Sequence, residues 1–569
     1  MQSDQDLKIL RHSVAHLLAQ AVVELFPDTK LTIGPATADG FFYDFLPTTN
    51  FREQDLEQIS AKMHDIVQRN LPITHEEITK EKARMLYCEN RFKLELIDGI
   101  EGDTVGLSVQ GDFYDLCRGG HVASTGILKH FKLEAISGAY WRADRNNQPL
   151  QRISGTAFHT AEELHAYEAR KEQALKYDHR KLGKQLDLFS FHVEGTGFPF
   201  FHPKGTTILD VMKQYLRKQL KKAHYLEIAT PTMLSDELWK QSGHYAHYKN
   251  NMYFCTVEQG TYAVKPMNCP GSILIYRERP RSYRELPMRL ADFGLVHRHE
   301  LSGVLHGLFR VRAFTIDDGH IYCTPAQIEE EVRTTIAITF EVLKKFGFDS
   351  INVALSTRPE NSMGSEELWN QATNALKHAL EKAHVAYELL EGEGAFYGPK
   401  IEFHIKDSMG RSWQCGTVQL DFFQPENFDL SYNDSDGTKK RPVMIHRAIY
   451  GSFERFLGVL LEHYQGKLPF WLAPVQIQVL TITDSHKPYA RAIAEQLTAK
   501  DFRVEIDESS DPLAGQIKSA QLQNIPWMVV IGQKEMDTNT LTLRHLNGKQ
   551  EFGLTFEQLI EKANELNQS

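Results

Sequence analysis

Six cysteines, at 88, 117, 255, 269, 323 and 415, fall in no disulfide-scaffold spacing along the 569 residues. Reduced thiols in a cytoplasmic protein are therefore expected. No apolar run approaches membrane-spanning length, and the opening M-Q-S-D-Q-D-L-K lacks the apolar stretch and small-residue cleavage site of a signal peptide. An excess of positive charge is missing too. With a net charge of -10, any hold on nucleic acid must come from local basic surfaces. Two helical stretches offer such surfaces: Arg170, Lys171, Lys176, Arg180, Lys181 and Lys184 in one, and Lys213, Arg217, Lys218, Lys221 and Lys222 in the other. Such runs also serve as plain solvated helix faces. There is no internal repeat, no low-complexity tract and no Walker phosphate loop, so a P-loop nucleotidase is excluded. The peptidase signature H-E-x-x-H is absent as well, since H-S-V-A-H at 12–16 carries serine where the glutamate base belongs.

What is present is an ordinary globular composition, 41% hydrophobic and 24% charged, in a chain long enough for several domains. The first block, 1–158, opens on an apolar helix over His12 to Phe26 and closes on strand-like runs around F-K-L-E-A-I and A-Y-W. A charged stretch from Ala161 to Phe189 reads as one long connecting helix, giving a linker at 159–189. From 190 to 470, short strands and motif-bearing loops interleave with helices, which predicts a mixed, largely antiparallel sheet. Residues 471–569 alternate strand and helix strictly (V-Q-I-Q-V-L-T-I, Tyr489 to Lys500, R-V-E-I, Leu513 to Gln523, W-M-V-V-I-G), which predicts a small parallel α/β domain.

Gly205 to Tyr225 has Ile208, Met212, Tyr215 and Leu216 on one helical face and bases on the other, with Thr207 as its expected cap. It leads to E-I-A-T-P, whose Pro231 suits a strand edge. Further on, R-L-A-D-F-G-L-V-H-R-H-E and F-R-V-R-A-F-T-I-D-D read as two strands joined by a long connection. Such a hairpin can lay Arg298 and Arg310 along a polyphosphate, because guanidinium forks match phosphate oxygens.

These three features, with M-N-C-P-G, F-T-I-D-D-G-H, G-A-F-Y-G-P-K-I-E-F and M-I-H-R-A-I-Y-G-S-F-E-R-F, resemble the signatures of the threonyl-tRNA synthetases, members of the class II aminoacyl-tRNA synthetase family. The resemblance covers essentially the whole chain. It implies an α+β multidomain protein: an N-terminal α+β editing domain, a class II antiparallel-sheet catalytic core and a C-terminal α/β anticodon-binding domain. It also implies a homodimer formed through the first signature. The small leading domain common in the family is expected to be absent.

By this resemblance Arg298 contacts the α-phosphate of ATP, Glu300 the adenine side, and Phe314 stacks on the purine. Arg310, Gln414, Ser452 and Arg455 complete the ATP site, with magnesium on the phosphates. The chemistry is adenylation. A threonine carboxylate is already ionised at neutral pH, so attack on the α-phosphate needs charge neutralisation and in-line positioning rather than a general base. Arg298, Arg455 and Lys400 are the expected cations, and His244, in S-G-H-Y, is tied to deprotonating the terminal ribose of tRNA-Thr.

The resemblance also makes Cys269, His320 and His446 a zinc site, one ion per subunit. Three protein ligands leave one position open for substrate. Threonine and valine are nearly isosteric, and an apolar pocket separates such a pair by only about a hundredfold. An open zinc position can take the amino and hydroxyl groups together, with Asp318 accepting from the hydroxyl and Tyr397 and Gln419 holding the amino group. Serine keeps the hydroxyl and lacks one methyl, worth only about 1 to 3 kcal/mol, so a second hydrolytic site is expected. His12 and His16, one helical turn apart, together with Asp115, Cys117 and His121 in Y-D-L-C-R-G-G-H, resemble the family's editing site, expected to be metal-free. Two histidines, a cysteine and a third histidine also suit a metal by type.

Several positions depart from the family pattern. Ile316 stands where glutamine is usual, Gly319 where alanine is common, and Gly120 where proline is usual. The anticodon-reading run D-x-R-N-E-K-I-G-x-K-I-R is here D-E-S-S-D-P-L-A-G-Q-I-K-S, although Glu535 and Arg544 still match anticodon-contacting positions. Asp507, Glu508 and Asp511 would repel a phosphate backbone, so altered or weaker anticodon reading is expected. The function implied is that of an ATP-dependent, AMP-forming threonine–tRNA ligase, cytoplasmic and not membrane-bound, with editing of Ser-tRNA-Thr. The alternative is a paralogue of that fold serving resistance, regulation or RNA binding.

Overall fold

The structure is a computed structural model describing residues 2–568 apart from 38, 145, 408 and 409. It divides into two compact units, Met1–Glu172 and Gln173–Ser569. Among the described residues no helix is long and apolar enough to cross a membrane.

In the first unit the opening helix runs over Gln2–Leu25, beginning well before His12. Leu10, Val14, Leu17, Leu18 and Ala21 bury it against Phe41, Tyr43 and Phe45 and against Ile59 and Met63 of the helix Asp55–Arg69. Beneath it lies a four-stranded sheet in the order Lys30–Leu31, Phe41–Leu46, Pro149–Phe158, His130–Tyr140. A separate three-stranded sheet, Ile73–Thr79, Thr104–Gln110, Phe113–Leu116, carries Asp115 and ends one residue before Cys117.

The expected single connecting helix is two. Ala161–Lys176 stops, and His179–Gln185 begins after Asp178, whose side chain accepts from the Arg180 amide at 2.8 Å. An aspartate in that position satisfies an orphan amide of a new helix start.

The second unit is built on a mixed, largely antiparallel sheet of eight strands, as expected. Its order is Leu226–Glu227, Met288–His297, Ala313–Cys323, Val443–Ala448, Ser412–Asp421, Lys400–Lys406, Asn352–Ser356, Glu388–Leu390. Strand periodicity sorts the side chains. Ile321 and Cys323, Val418 and Leu420, Val443 and Ile445 enter the main core with the helices Pro203–Lys222, Ile328–Lys345 and Phe453–His463. Their alternates His320, Gln419 and His446 face the other way, and Gln419 and His320 both sit opposite His446 in the ladder.

The helix predicted over 205–225 spans Pro203–Lys222 and buries Ile208, Met212, Leu216 and Leu220 at intervals of four. Thr207 is not its cap. Pro203 opens the first turn, and the Thr207 hydroxyl donates to the Pro203 carbonyl at 2.9 Å within the helix. Leu226–Glu227 pairs in parallel with Leu290–Ala291 at the sheet edge, and Pro231 lies beyond that pairing. The second half of the motif-bearing hairpin becomes strand only from Ala313, since Gly307–Phe309 forms a turn closed by a bridge between His306 and Arg310.

At the C-terminal end Ile477–Thr481 pairs in parallel with Val504–Ile506 and with Trp527–Ile531. The expected all-parallel sheet is mixed, because Leu541–His545 and Gln550–Leu554 extend it as antiparallel strands.

Candidate active site

A cavity of about 670 Å³ opens in the second unit, on the face of the eight-stranded sheet that carries His446 and Gln419. Cys269 reaches it from the first residue of the helix Cys269–Arg277, which packs through Ile273 and Tyr276 onto Leu290, Tyr322 and Met444 of the same face. Ligand atoms of Cys269, His320 and His446 lie within 4.8 Å of one another. The two imidazoles meet edge to face, 5.1 Å between centroids.

The surroundings fit a metal ion. His320 is completely buried, yet neither ring nitrogen makes a hydrogen bond, a costly state for two polar atoms. Its nearest charged neighbour is Asp318 Oδ1, 3.6 Å from Nε2. Burial drives His320 well below the ordinary imidazole range, so it is a neutral donor, and drives the Cys269 thiol well above its own. A bound cation reverses the second effect, because thiolate is the ligand form. His446 Nε2 donates to Asp421 Oδ2 at 2.9 Å, which leaves Nδ1 with its lone pair. Asp421 is in turn fixed by the amides of Phe423 and Gln424, the outer support typical of a ligating histidine.

Around this trio stand the three residues expected to hold threonine. Asp318 accepts from Asn268 Nδ2 at 3.2 Å and from the Gly319 amide at 3.0 Å. The Tyr397 hydroxyl donates to Gln419, and its ring lies 5.0 Å from that of His446. All three line the cavity.

The nucleotide candidates share that cavity. Arg298, Glu300, Arg310, Phe314, Gln414, Ser452 and Arg455 all line it. The Arg298 guanidinium sits 5.1 Å from the Phe314 ring centroid and donates through Nε to the Pro266 carbonyl. Arg310 Nε pairs with Glu300 Oε2 at 3.0 Å. Arg455 is seated by two carbonyls, Phe309 on Nε at 3.1 Å and Gln414 on Nη1 at 3.2 Å. Ser452 caps the helix that carries Arg455, accepting from its amide at 3.1 Å.

Three candidates of the large-sheet region are not at the cavity wall: His320 of the donor trio, Lys400 and His244. The Lys400 ammonium pairs with Glu402 Oε1 at 2.7 Å, away from the lining. His244 is wholly buried, with Ser242 Oγ 2.7 Å from Nδ1, Met267 Sδ 3.1 Å from Nε2 and Cys269 Sγ at 3.8 Å. Burial, with the charges of His446 and Arg298, pushes His244 down to about 3, so its ring is neutral at physiological pH.

The departures from the family pattern have structural counterparts. Ile316 lines the cavity. Gly319 faces the opposite side of the sheet, where a Cβ would lie 2.3 Å from the Arg447 guanidinium carbon. Gly120 has φ +81, a conformation closed to proline.

In the first unit His12, His16, Cys117 and His121 bring ligand atoms within 4.8 Å of one another. Cys117 Sγ is 3.1 Å from both His12 Nε2 and His121 Nε2, and Ser13 Oγ is 3.1 Å from His121 Nδ1. Burial pushes His121 down to about 4 and the Cys117 thiol up. Asp115 lies 3.7 Å from His16 Nδ1 and is held by a completely buried Lys93 and by the Tyr43 hydroxyl. Sequence reading missed Lys93 and Tyr43. A lysine in an amphipathic helix carries no local mark, and its counter-ion is 22 positions away on another element.

In the C-terminal sheet Glu535 is occupied internally, accepting from the Gly532 amide at 3.0 Å and from Thr542 Oγ1 at 2.8 Å. Arg544 stands opposite Met528, with its Nε buried and without a hydrogen bond. In the divergent segment, Glu508 takes the Arg491 guanidinium on both oxygens. The expected repulsion of phosphate is therefore partly cancelled within the protein.

Comparison with known proteins gives this geometry a family. A threonine–tRNA ligase of Carboxydothermus hydrogenoformans is 50% identical over 571 residues, 99% of this chain and 90% of that protein. The chain belongs to the threonine–tRNA ligase family. A second such ligase, from Clostridium tetani, is 50% identical over 564 residues, covering 99% of this chain and 88% of that protein. Residues 253–464 match the tRNA synthetase class II core domain (G, H, P, S and T), 475–566 the anticodon binding domain, and 107–154 the threonyl and alanyl tRNA synthetase second additional domain. The crystal structure of the RNA binding domain of threonyl-tRNA synthetase from Cryptosporidium parvum superposes with a TM-score of 0.67 at 43% identity. It covers 68% of this chain and 98% of that one. A class II synthetase core, an editing domain and an anticodon-binding domain thus make this ligase an aminoacyl-tRNA synthetase.

Proposed function

We propose that the protein activates threonine with ATP, transfers it to the 3′ end of tRNA-Thr, and hydrolyses Ser-tRNA-Thr at a separate site. The observation that carries this reading is one cavity lined both by Cys269 and His446 of the donor trio and by Arg298, Arg310 and Arg455. The ionised carboxylate of threonine attacks the α-phosphate, forming threonyl-adenylate as the α–β phosphoanhydride bond breaks and pyrophosphate leaves. Arg298, backed by the Pro266 carbonyl and stacked near Phe314, neutralises charge there. Arg310 and Arg455 take the outer phosphates, with magnesium completing the charge balance.

Cys269, His320 and His446 are the residues to hold one zinc ion, and bound there it supplies an open coordination position for the amino and hydroxyl groups of threonine. Asp318 accepts the substrate hydroxyl proton, and Tyr397 and Gln419 orient the amino group. His244 takes the proton of the attacking ribose hydroxyl. For that, Met267, whose sulfur is 3.1 Å from Nε2, must move aside. Lys400 acts on the phosphates only if it leaves Glu402.

Editing falls to His12, His16, Asp115, Cys117 and His121, without a metal; the contacts of Cys117 Sγ with His12 and His121 support this reading, while His16 Nδ1 is buried without a hydrogen bond. Glu535 and Arg544 contact the anticodon. The functional division is 1–158 for editing, 159–189 as linker, 190–470 for catalysis and 471–569 for anticodon binding. A cytoplasmic homodimer completes the reading. Exposed Leu226 and Leu295 at the edge of the large sheet support the dimer, and six free thiols the reducing compartment.

Threonine-dependent ATP–pyrophosphate exchange followed by charging of tRNA-Thr tests the reading. Exchange with charging is expected. Exchange without charging would select a paralogue of altered role, and neither activity would overturn the ligase reading.

A further inference from the structure

Asp178, His179 and Glu462 form a third cluster of metal-ligand type, and its contacts point elsewhere. The Leu308 amide donates to His179 Nε2 at 3.0 Å, so that nitrogen is the acceptor and the ring proton rests on Nδ1. Nδ1 in turn donates to Glu462 Oε1 at 2.8 Å, and the His179 amide reaches the same oxygen at 3.2 Å. Asp178 is occupied by Arg180. With both imidazole nitrogens engaged by protein groups, no lone pair is left for a cation.

These contacts converge on the loop of the nucleotide site. Two consecutive residues of the Leu308–Arg310 segment are held: Leu308 through its amide by His179, and Phe309 through its carbonyl by Arg455 Nε at 3.1 Å. The Phe309 ring lies between His179, 4.1 Å away, and Trp413, 4.3 Å away. Gly307 has φ +47, and a Cβ there would lie 2.2 Å from His179 Nε2, so the fit is close. Glu462 and Arg455 sit about two turns apart on the helix Phe453–His463. Arg411 also lies near Glu462, with Nη2 3.9 Å from Oε2, and the charge of Arg180 is felt there as well.

We infer that His179, oriented by Glu462, is a positioning residue for ATP: it fixes the Leu308–Arg310 segment so that Arg310 and Arg455 meet the polyphosphate together. The short helix His179–Gln185, read from sequence as part of a linker, is on this account a component of the nucleotide site. The inference rests on the adenylation reading given above.

Full-length wild type, His179→Phe, His179→Gln and Glu462→Gln are compared in threonine-dependent ATP–pyrophosphate exchange, with KM for ATP and for threonine measured separately. His179→Phe keeps a ring against Phe309 and loses both hydrogen bonds. The KM for ATP is expected to rise roughly tenfold, with the KM for threonine within about twofold of wild type. His179→Gln, whose carboxamide oxygen can accept from Leu308, recovers part of that loss, and Glu462→Gln shows a smaller rise of about threefold. An unchanged KM for ATP, or an equal rise in both constants, would overturn the inference. If His179→Phe gives no cooperative unfolding transition, the same split in the isosteric Glu462→Gln decides. Absence of exchange by wild type would count against the adenylation reading instead. The pair is then judged by calorimetric ATP binding, where equal affinity of wild type and Glu462→Gln overturns it.

Discussion

Glu508 accepts both arms of the Arg491 guanidinium, Nε at 2.9 Å and Nη2 at 2.7 Å, and the Glu508 carbonyl also takes the Lys487 ammonium at 3.0 Å. Two cations of the anticodon-binding domain are thereby engaged by the acidic segment that carries Asp507, Glu508 and Asp511. Glu508→Gln should release Arg491 toward the RNA backbone. A KM for tRNA-Thr lowered by about twofold to fivefold is expected, with a log–log salt slope steeper by about one. An unaltered slope in filter binding across a salt series would show that Arg491 does not reach phosphate.

Editing and synthesis should separate cleanly. Cys117→Ala removes the thiol shared by His12 and His121. Hydrolysis of Ser-tRNA-Thr is expected to slow by about a hundredfold, while threonine-dependent exchange stays at the wild-type rate. Wild-type deacylation by the variant would remove Cys117 from the editing chemistry.

An alanine at position 319 should be costly in this chain. A Cβ at that position falls 2.3 to 2.5 Å from three atoms of the Arg447 guanidinium, a group already buried with two nitrogens lacking hydrogen bonds. Gly319→Ala is expected to destabilise the protein by about 1 to 3 kcal/mol, the usual range for overpacking, seen as a lowered midpoint in chemical denaturation. An unchanged midpoint would mean that Arg447 has room to withdraw.

The pH profile of stability should carry the mark of two buried carboxyls. Burial pushes Glu454, which accepts from the Thr315 amide, up to about 7 from an ordinary value of 4.5. Asp317, also raised by burial, reaches about 7 despite Arg447. Between the ordinary carboxyl range and pH 7 the folded protein binds more protons than the unfolded chain, so stability falls as pH rises through that window and levels above it. Glu454→Gln accepts the same amide without titrating. It should remove its share of the decline, on the order of 3 kcal/mol at pH 8, and leave the share due to Asp317. Parallel wild-type and variant profiles would contradict this.

How legible the molecule was depended on how far each signal had to travel along the chain. The donor trio and the three arginines stand in short segments whose residue types match one reaction; Cys269, His446 and the arginines line one cavity, and His320 lies within ligand distance of the first two. The alternation of Ile321, His320 and their neighbours follows from strand periodicity alone. Lys93 was invisible because its meaning lies in a counter-ion on another element. His179 was hidden likewise, since its partners Leu308 and Glu462 are 129 and 283 residues away. Local chemistry misled at two places: Thr207 resembled a cap while Pro203 had already opened the helix, and Asp178 caps a new helix where charge patterning alone would have continued the old one. The hairpin Leu541–Leu554 lay beyond the strand–helix alternation and so escaped it.

The central claim is a metal held by Cys269, His320 and His446 with one position free for the amino acid. Zinc-edge X-ray absorption of the purified protein, with and without threonine, tests it directly. The account predicts one zinc per chain, one sulfur at about 2.3 Å, two imidazole nitrogens near 2.0 Å, and a lighter-atom shell that gains a ligand when threonine but not valine is added. A shell closed by four protein ligands, or one indifferent to threonine, would contradict it.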